Sequence, residues 1–550
     1  MRRLRFSLMM LLGILLSFSS VNLRAQNTAS LLGTVHDPTG AVVPGAQVTI
    51  LNQQTGATRS MKVDASGNYV VPLLPVGRYT IRVTYQGFAP AEQKDIVLQI
   101  GEHREVDFTL SPSAVRQKVQ VSAVPVAVNT TSATLGQVIT SQQVADLPLN
   151  GRNFVELAIL TPGTTMSYAN GDAFAGNAGG EMAIRGSYSL SVGGSRESDT
   201  EWLLDGMDNN ELTAGAISIM PSIDAIQEFK VLTYNYSAQY GLRGGPTVMI
   251  TTKSGTNQFH GTVFEFLRND ALDTRSFFAT ATPKYIQNQF GFSAGGPIQK
   301  NKTFFFGDYQ ETRYEKGVPS VAQVPTALMR QGVFTESFPG SPAPQIFNPA
   351  TTTFVNGQPV RQPFANNTIP SCQAGALPGS CMSPIAQQML NFFPLPNVTG
   401  TLVGDYVSDP VETLAEPEFD VKLDHNFSAK DSSWARFSYD QAGQYDPSGL
   451  PGFGAQPGGY FTNRSLSDHD RNVALSETHI FSPVLVNQVT VGYNREFDFI
   501  SDYGTGTNES AKLGIPGSNL GTPVSSDLLA TTFAGGFWGL DGTFVPFQGG

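Results

Sequence analysis

Residues 224–270 read DAIQEFKVLTYNYSAQYGLRGGPTVMITTKSGTNQFHGTVFEFLRND, and the chain changes character within this stretch. Before it, short apolar segments separated by glycine turns predict a compact globular unit. After it, alternating aromatic-rich segments are joined by connections that are short and long in turn, the pattern of a membrane-spanning β-barrel. We therefore predict that residues 253–261 form a hinge between a soluble plug and the barrel that encloses it.

Bulk composition narrows the class of protein. The chain has 550 residues, of which 14% are charged and 40% hydrophobic, so it is too long for one core and too apolar for disorder. A net charge of −11 disfavours nucleic acid as a partner. No apolar run of about 20 residues follows the N-terminus, so no transmembrane helix is expected there. A mean hydropathy of −0.11 does not exclude a barrel, because alternation hides the apolar face.

The N-terminus has the pattern of an export signal. Residues 1–25 combine Arg2, Arg3 and Arg5 with the apolar run 8–16 and end in Ala25, which predicts a secretory signal peptide cleaved after Ala25. An uncleaved anchor is the alternative, although the run is short for spanning.

Residues 30–110 predict a small two-sheet sandwich, because alternating strands are broken by Asp-Pro, Thr-Gly, Pro-Gly and Ser-Gly-Asn turns. None of the six histidines in the sequence lies in an HExxH or HxxE pattern, so we expect a binding or spacing module rather than a zinc peptidase.

Seven strands are predicted after the hinge, each close to the length that crosses a bilayer when tilted. They are residues 258–268, 286–297, 303–313, 417–427, 433–441, 472–481 and 487–499. In residues 417–427 the apolar side chains share one face and the polar ones share the other. We assign the apolar set (Phe419, Val421, Leu423, Phe427) to lipid and the polar set (Glu418, Asp420, Lys422, Asp424, Asn426) to the lumen.

The connections alternate in length, and the longest is residues 314–416. This segment holds Cys372 and Cys381, for which we predict a disulfide in an oxidising compartment; a metal site would need more ligands nearby. Seven strands would leave two unpaired edges in hydrocarbon. We therefore expect the sequence to be the N-terminal part of a longer barrel protein, or a truncated copy.

Several sequence words together resemble a known family. LPLNGRN (147–153), IRG (184–186), LLDG (203–206) and IDAIQEF (223–229) occur in the order found in plugs of Oar-like TonB-dependent outer-membrane receptors, and TKSGTNQFHG and FEFLRND resemble their plug-to-barrel junction. The words GTVHDPTGAVVPGAQVTI, DASGNYVVPLLPVGRYTIRV and YQGF resemble the carboxypeptidase-regulatory-like domain, a transthyretin-like sandwich.

The resemblance implies particular site residues. The plug signature residues are Asn150, Gly151, Arg152, Arg185, Gly186, Asp205 and Gly206. The TonB-contact segment is Gln117, Lys118, Val119, Gln120, Val121, Ser122 and Ala123, which could add a strand to a partner's sheet; an ordinary first strand of the plug is the alternative. Residues 205–210 lack the ligand order of a calcium loop, so Asp205, Asp208, Asn209 and Asn210 are predicted turn residues.

The expected fold is mainly β, with a transthyretin- or Ig-like sandwich, a small α+β plug and the first strands of a large antiparallel barrel. The domains are residues 1–25 (signal peptide), 30–110 (sandwich), 111–134 (connector), 135–254 (plug) and 258–550 (barrel).

The resemblance implies TonB-dependent import, in the outer membrane of a Gram-negative-type cell, of a ligand too large for porins. The partners would be TonB, outer-membrane lipid and an extracellular ligand, with carbohydrate and peptide both open. We expect no catalytic residues, cofactor, metal or nucleic acid. The alternatives are a surface scaffold or adhesin of the same fold, and an enzyme whose catalytic domain would lie beyond Gly550.

Overall fold

The computed structural model describes residues 27–112, 133–168, 188–211, 215–237, 239–275, 277, 281–340, 342–455, 463–482, 485–519, 528, 539–540 and 548–549. The predicted signal peptide, the predicted TonB-contact segment Gln117–Ala123, and Arg185 and Gly186 lie outside these residues. Among the helices of the described residues, none has the length and apolar character needed to cross a membrane.

The first unit is a sandwich of two packed sheets, as predicted. Its strands are β1 (Thr28–His36), β2 (Gln47–Asn52), β3 (Thr58–Lys62), β4 (Asn68–Pro75), β5 (Gly77–Thr84), β6 (Ala91–Leu98), β7 (His103–Glu105) and β8 (Phe108–Thr109). One sheet has the order β4-β1-β7, with β8 also paired to β1, and the other has the order β3-β2-β5-β6. Alternate residues of each strand point inward, so Leu31, Val48 and Ile81 meet in one buried core.

The second unit, which we call the plug, is small and mixed. Its elements are β9 (Leu135–Thr140), α1 (Ser141–Asp146), two 3₁₀ turns (Asn150–Arg152 and Phe154–Leu160), β10 (Thr164–Tyr168), β11 (Tyr188–Val192), a 3₁₀ turn (Glu197–Asp199), β12 (Glu201–Leu204), β13 (Met207–Asp208), β14 (Ile226–Tyr234) and β15 (Thr247–Thr252). The main sheet has the order β13-β12-β15-β14-β9. Thr140 begins α1 by forming a capping box with Gln143. The α+β character predicted for this unit is therefore observed.

The third unit, which we call the wall, is one large sheet with antiparallel neighbours. The strands after the hinge are β16 (His260–Asn269), β17 (Tyr285–Gln299), β18 (Thr303–Gly317), β19 (Ser320–Ala322), β20 (Thr353–Val355), β21 (Gln358–Val360), β22 (Tyr406–Ser408), β23 (Val411–Asn426), β24 (Asp431–Asp446), β25 (Gly454–Ala455), β26 (Arg464–Ser482), β27 (Leu485–Arg495), β28 (Asp498–Asp502), β29 (Gly539–Leu540) and β30 (Gln548–Gly549). The wall runs β16-β17-β18-β23-β24-β26-β28-β30, and β27 also pairs with β26.

Six of the seven predicted wall strands occur as single strands, and five of these six are longer than predicted. Strand β23 has 16 residues and begins at Val411, because the chain keeps its alternation beyond the length that a bilayer core requires. The prediction of one strand over residues 487–499 was wrong, since β27 and β28 are separate. Glu496 and Phe497 interrupt the strand, and both β27 and β28 pair with β26.

The two predicted faces of β23 are confirmed. Val421 and Leu423 are 43% and 46% exposed on the outer face, whereas Glu418, Asp420 and Lys422 are buried on the inner face. The inner side chains meet the plug, so the alternation positions the wall's charged residues against it.

The long connection between β18 and β23 has structure of its own. It contains α2 (Ala327–Arg330), α3 (Pro384–Met389), 3₁₀ turns (Pro349–Thr351, Ala365–Asn367, Leu390–Phe392) and the pairs β19/β22 and β20/β21. Cys372 and Cys381 form a disulfide within it. Phe393 packs with Leu450 and Phe453 from the next long connection, so the two segments share a small core. The remaining described helices are a 3₁₀ turn (Asp270–Leu272) and α4 (Glu509–Lys512).

Candidate functional site

The plug meets the wall through the turn between β12 and β13. Asp205 and Gly206 both have positive φ, 49° and 81°, as a two-residue hairpin turn of the Asp-Gly kind requires. The Asp205 carboxylate accepts hydrogen bonds from the Thr252 backbone N–H at 3.0 Å and from Thr252 Oγ1 at 2.6 Å. Thr252 ends β15, so two plug strands hold this carboxylate in place.

Two wall cations face that carboxylate. Lys422 on β23 and Arg436 on β24 are directly paired in register, so their side chains lie side by side. Lys422 Nζ lies 3.3 Å from Asp205 Oδ1, and Arg436 Nε lies 3.0 Å from Asp205 Oδ2. All three residues are buried. Burial alone would raise the pKa of Asp205, but the two cations and the Thr252 hydrogen bonds outweigh burial and lower it.

Each cation also donates to the main chain of the plug. Lys422 Nζ donates to Thr252 O at 3.3 Å, and Arg436 Nη2 donates to Leu204 O at 3.3 Å. Arg436 Nη2 further donates to Asn472 Oδ1 of the wall at 2.7 Å. We call Asp205, Lys422 and Arg436 the ion cluster. A buried cluster of this kind adds little net stability, but removing one member is strongly destabilising because the buried charges that remain lose a partner.

Three plug hydroxyls form a second set of contacts with wall carboxylates. Each plug hydroxyl donates to an aspartate on an inward-facing position of the wall. The pairs are Ser222 with Asp308 at 2.6 Å, Ser218 with Asp470 at 3.1 Å and Ser254 with Asp424 at 3.4 Å. Asp308, Asp470 and Asp424 lie on β18, β26 and β23, so these contacts connect the plug to three different wall strands.

Arg152, one of the predicted signature residues, lies against the first wall strand. Its Nη2 lies 2.5 Å from Asp224 Oδ2, and Asp224 accepts from Thr262 Oγ1 of β16 at 2.9 Å. The guanidinium also lies 4.4 Å and 4.5 Å from the ring centroids of Phe264 and Phe266. Burial lowers the pKa of Arg152, and Asp224 opposes that shift.

The other predicted plug residues divide between turn and core. Asn150 and Gly151 lie with Arg152 in a 3₁₀ turn. Asn209 and Asn210 are buried, and their amides bond the backbone of Ile219 and Trp202. These bonds use the amide groups to brace the plug. The roles of the signature residues as a functional set stay predictions.

Sequence reasoning missed the partners of Asp205. Lys422 was assigned only to the lumen-facing side, and Arg436 was not singled out as a candidate. The sequence does carry a signal for this contact. Lys422 and Arg436 are cations at lumen-facing positions of neighbouring strands, in a chain with few charged residues.

A group of three side chains of metal-ligating types lies away from the ion cluster. In the described part of the chain, one set of three such side chains comes together, namely Asp431, Glu477 and His479, at partly exposed to exposed positions near a short turn. His479 Nδ1 already lies 2.5 Å from Asp431 Oδ1. This group lies apart from the contacts between plug and wall.

Comparison with known proteins identifies the class. Residues 251–550, more than half of the chain, match the Outer membrane beta barrel domain family, so the chain belongs to that family and is a protein of the outer membrane. Residues 30–111 match the Carboxypeptidase regulatory-like domain.

A relative agrees with the Oar-like resemblance predicted from the sequence. The chain is 27% identical to the TonB-dependent transporter Oar of Myxococcus xanthus over 311 residues, which are 52% of this chain and 27% of the relative. The match therefore spans about a quarter of that protein's length.

Solved structures with similarity include a transporter and a receptor. The outer membrane transporter YddB from Escherichia coli is 10% identical, with 67% of this chain and 40% of that chain covered at a TM-score of 0.39. The ferric enterobactin receptor from Pseudomonas aeruginosa is 11% identical, with 66% and 41% covered at a TM-score of 0.37.

Proposed function

We propose that the protein is a TonB-dependent outer-membrane transporter that imports a ligand too large for porins by rearranging its plug. The observation that carries this proposal is the seating of the plug through the ion cluster and the Ser–Asp pairs. Such polar contacts can be exchanged for water, unlike an interdigitated apolar core. These contacts can therefore break and re-form with water as the plug shifts inside the wall. Similarity to a protein named as a TonB-dependent transporter supports the same function.

The position of the connector supports energy coupling. Residues 111–134 lead directly into β9, which is the edge strand of the plug sheet and pairs there with β14. A pull on the connector would therefore act first on one edge strand, whose ladder can open one pair at a time. We propose that Gln117–Ala123 adds to a sheet of TonB and transmits that pull. The extracellular ligand would meet the long connections, and both carbohydrate and peptide fit this proposal.

The proposed function predicts that import depends on the TonB-contact segment. Val119→Pro combined with Val121→Pro removes two backbone donors, so strand addition and import should be lost. Val128→Pro, in the same connector but outside the segment, is the matched control and should import normally. Uptake of candidate ligands is measured in intact cells with and without TonB.

The same assay separates transport from the alternative. A surface scaffold or adhesin would bind its ligand equally in both strains and accumulate none inside. Import that continues without TonB, or that survives the double proline variant, would contradict the proposed coupling. The relative is a transporter by name, and we propose no enzymatic activity for this chain.

A further inference from the structure

The turn between β6 and β7 of the sandwich carries an unexpected buried residue. The turn is closed by a hydrogen bond from the Glu102 N–H to Gln99 O at 3.1 Å, and Gly101 has a positive φ of 61°. Ile100 lies at the tip of this turn and is 0% exposed. An isoleucine at the tip of a turn would project into water in an isolated sandwich. Its burial therefore requires a partner surface outside the sandwich.

That surface is the second face of the plug sheet. One face of the sheet, including Trp202, Phe229 and Ile250, packs on the plug's own core. The opposite face presents an apolar socket in which Leu203, Leu232 and Met249 are fully buried around Ile100, with Val138, Tyr236 and Tyr240 packed beside them. The plug sheet is thus covered on both sides, and the sandwich supplies one of the covers.

Polar contacts bind the main chain of the same turn. The Ile100 N–H donates to Glu228 Oε1. Lys230 Nζ donates to Ile100 O at 3.2 Å and to Gly101 O at 3.3 Å. Glu228, Lys230 and Leu232 are alternate residues of β14 and so share the face that carries the socket. Both main-chain groups of Ile100 are therefore satisfied by plug side chains, which makes this a built recognition site and not a chance apolar contact.

A second contact ties the sandwich to the hinge and the rim of the wall. The Asn257 N–H of the hinge donates to Gln54 O of the sandwich at 2.9 Å. The Asn257 side chain bonds Asn301, in the turn between β17 and β18, through its amide N and O, each at 2.8 Å. The sandwich therefore contacts the plug, the hinge and, through Asn257, the edge of the wall.

We propose that the N-terminal sandwich is a retaining clamp that holds the plug sheet in its seat until the turn Gln99–Glu102 leaves the socket. The clamp grips β14, the strand paired with β9, so it secures the neighbour of the strand on which the connector pulls. Docking of the sandwich does not depend on transport. Only the energy source for its release rests on the proposed function.

The clamp is tested by the accessibility of the socket in outer-membrane vesicles that lack TonB and added ligand. Val138→Cys places a reporter thiol beside the socket, and its reaction with a maleimide reagent admitted to the periplasmic side is timed. Cys372 and Cys381 form a disulfide and do not react. Gln142→Cys, on the exposed surface of α1, reports the reagent's access to the plug.

Ile100→Asp should raise the labelling rate of the Val138→Cys reporter by about 10- to 100-fold, because it removes a buried isoleucine from the socket. Val70→Asp, an equivalent change at an exposed position of the same sandwich, should leave the rate unchanged. Lys230→Met, which does not alter the sandwich sequence, should raise the rate by about tenfold through loss of its two donated bonds.

An unchanged rate in both Ile100→Asp and Lys230→Met would overturn the clamp. A rate that rises equally in Val70→Asp would also overturn it, because the effect would then reflect sandwich unfolding and not the socket. The vesicles contain neither TonB nor ligand, so failure of import in cells does not bear on this result.

Discussion

The plug has two interfaces, and they are built from different chemistry. Toward the wall, it is held by the ion cluster, by Ser–Asp hydrogen bonds and by Arg152. Toward the sandwich, one apolar side chain, Ile100, enters a socket whose rim is charged. The contacts described at the wall interface join charged and polar groups, whereas the sandwich interface has an apolar centre.

This difference in chemistry predicts which substitutions should weaken each interface. Buried charges respond to removal of a partner, because the remaining charge stays in a low-dielectric site. An apolar socket responds to lost volume, because the cavity left behind has no atoms to fill it. Substitutions can therefore loosen one interface while leaving the other unchanged.

The largest effect is expected at the ion cluster. Asp205→Asn removes the carboxylate that contacts both Lys422 and Arg436, and should destabilise the seated plug by about 3–5 kcal/mol. Hydrogen exchange of plug amides in the membrane-inserted protein measures this loss.

Asp146→Asn provides the control, because Asp146 is an exposed plug carboxylate and its neutral variant should match the parent. Adding Lys422→Met to Asp205→Asn should recover part of the stability, since one stranded charge is removed. Equal exchange in Asp205→Asn and Asp146→Asn would show that the ion cluster does not hold the plug.

Two consecutive leucines lie on opposite faces of the plug sheet. Leu203 belongs to the socket and Leu204 to the plug core, and both are fully buried. Each Leu→Ala change should cost about 3 kcal/mol. The loss should fall on docking of the sandwich in Leu203→Ala and on folding of the plug in Leu204→Ala. Leu203→Ala should release the sandwich, measured by socket labelling, while Leu204→Ala should lower the stability of the plug, measured by hydrogen exchange. The same response from both variants would contradict a two-sided sheet.

The sandwich interface should also depend on pH. Burial raises the pKa of Glu228, and the nearby Glu102 adds to the rise, whereas the Ile100 N–H and Lys230 oppose it. The net result is a pKa of about 7, compared with the ordinary value of 4.5. A pKa raised on docking means that docking is strongest when the carboxyl is protonated and weakens as pH rises through about 7. Docking should therefore be about tenfold tighter near pH 6 than near pH 8.

Glu228→Gln removes this titration while keeping an oxygen that accepts from the Ile100 N–H. Because the thiolate is the species that reacts with maleimide, each rate is divided by that of the exposed Gln142→Cys reporter at the same pH. In Glu228→Gln this ratio should be flat across the same pH range. A parent protein in which the ratio is flat between about pH 6 and about pH 8 would rule out the role of Glu228.

Local patterns predicted the elements but not the contacts between units. Alternation assigned Lys422 to the lumen side of its strand, and the Asp-Gly pair predicted a turn at Asp205, both correctly. Their contact joins residues 217 positions apart, and no local pattern specifies which turn meets which strand.

Ile100 was missed for the same physical reason. Around it, the sequence specifies a turn, and turn residues are usually exposed. Its burial arises only when the sandwich docks on a sheet whose strands follow it by more than 30 residues in the chain. The predicted TonB-contact segment, Arg185 and Gly186 lie outside the described residues and stay predictions.

The smallest effect is expected at Arg152, where charge and shape contribute separately. Arg152→Lys keeps the positive charge beside Asp224 but loses the planar guanidinium that stacks on Phe264 and Phe266. The loss should be about 1 kcal/mol in plug stability, well below that of Asp205→Asn. Arg152→Met, which removes the positive charge beside Asp224, should cost more than Arg152→Lys in the same exchange measurement. If the two variants cost the same, the ring contacts hold this corner of the plug and the ion pair adds nothing.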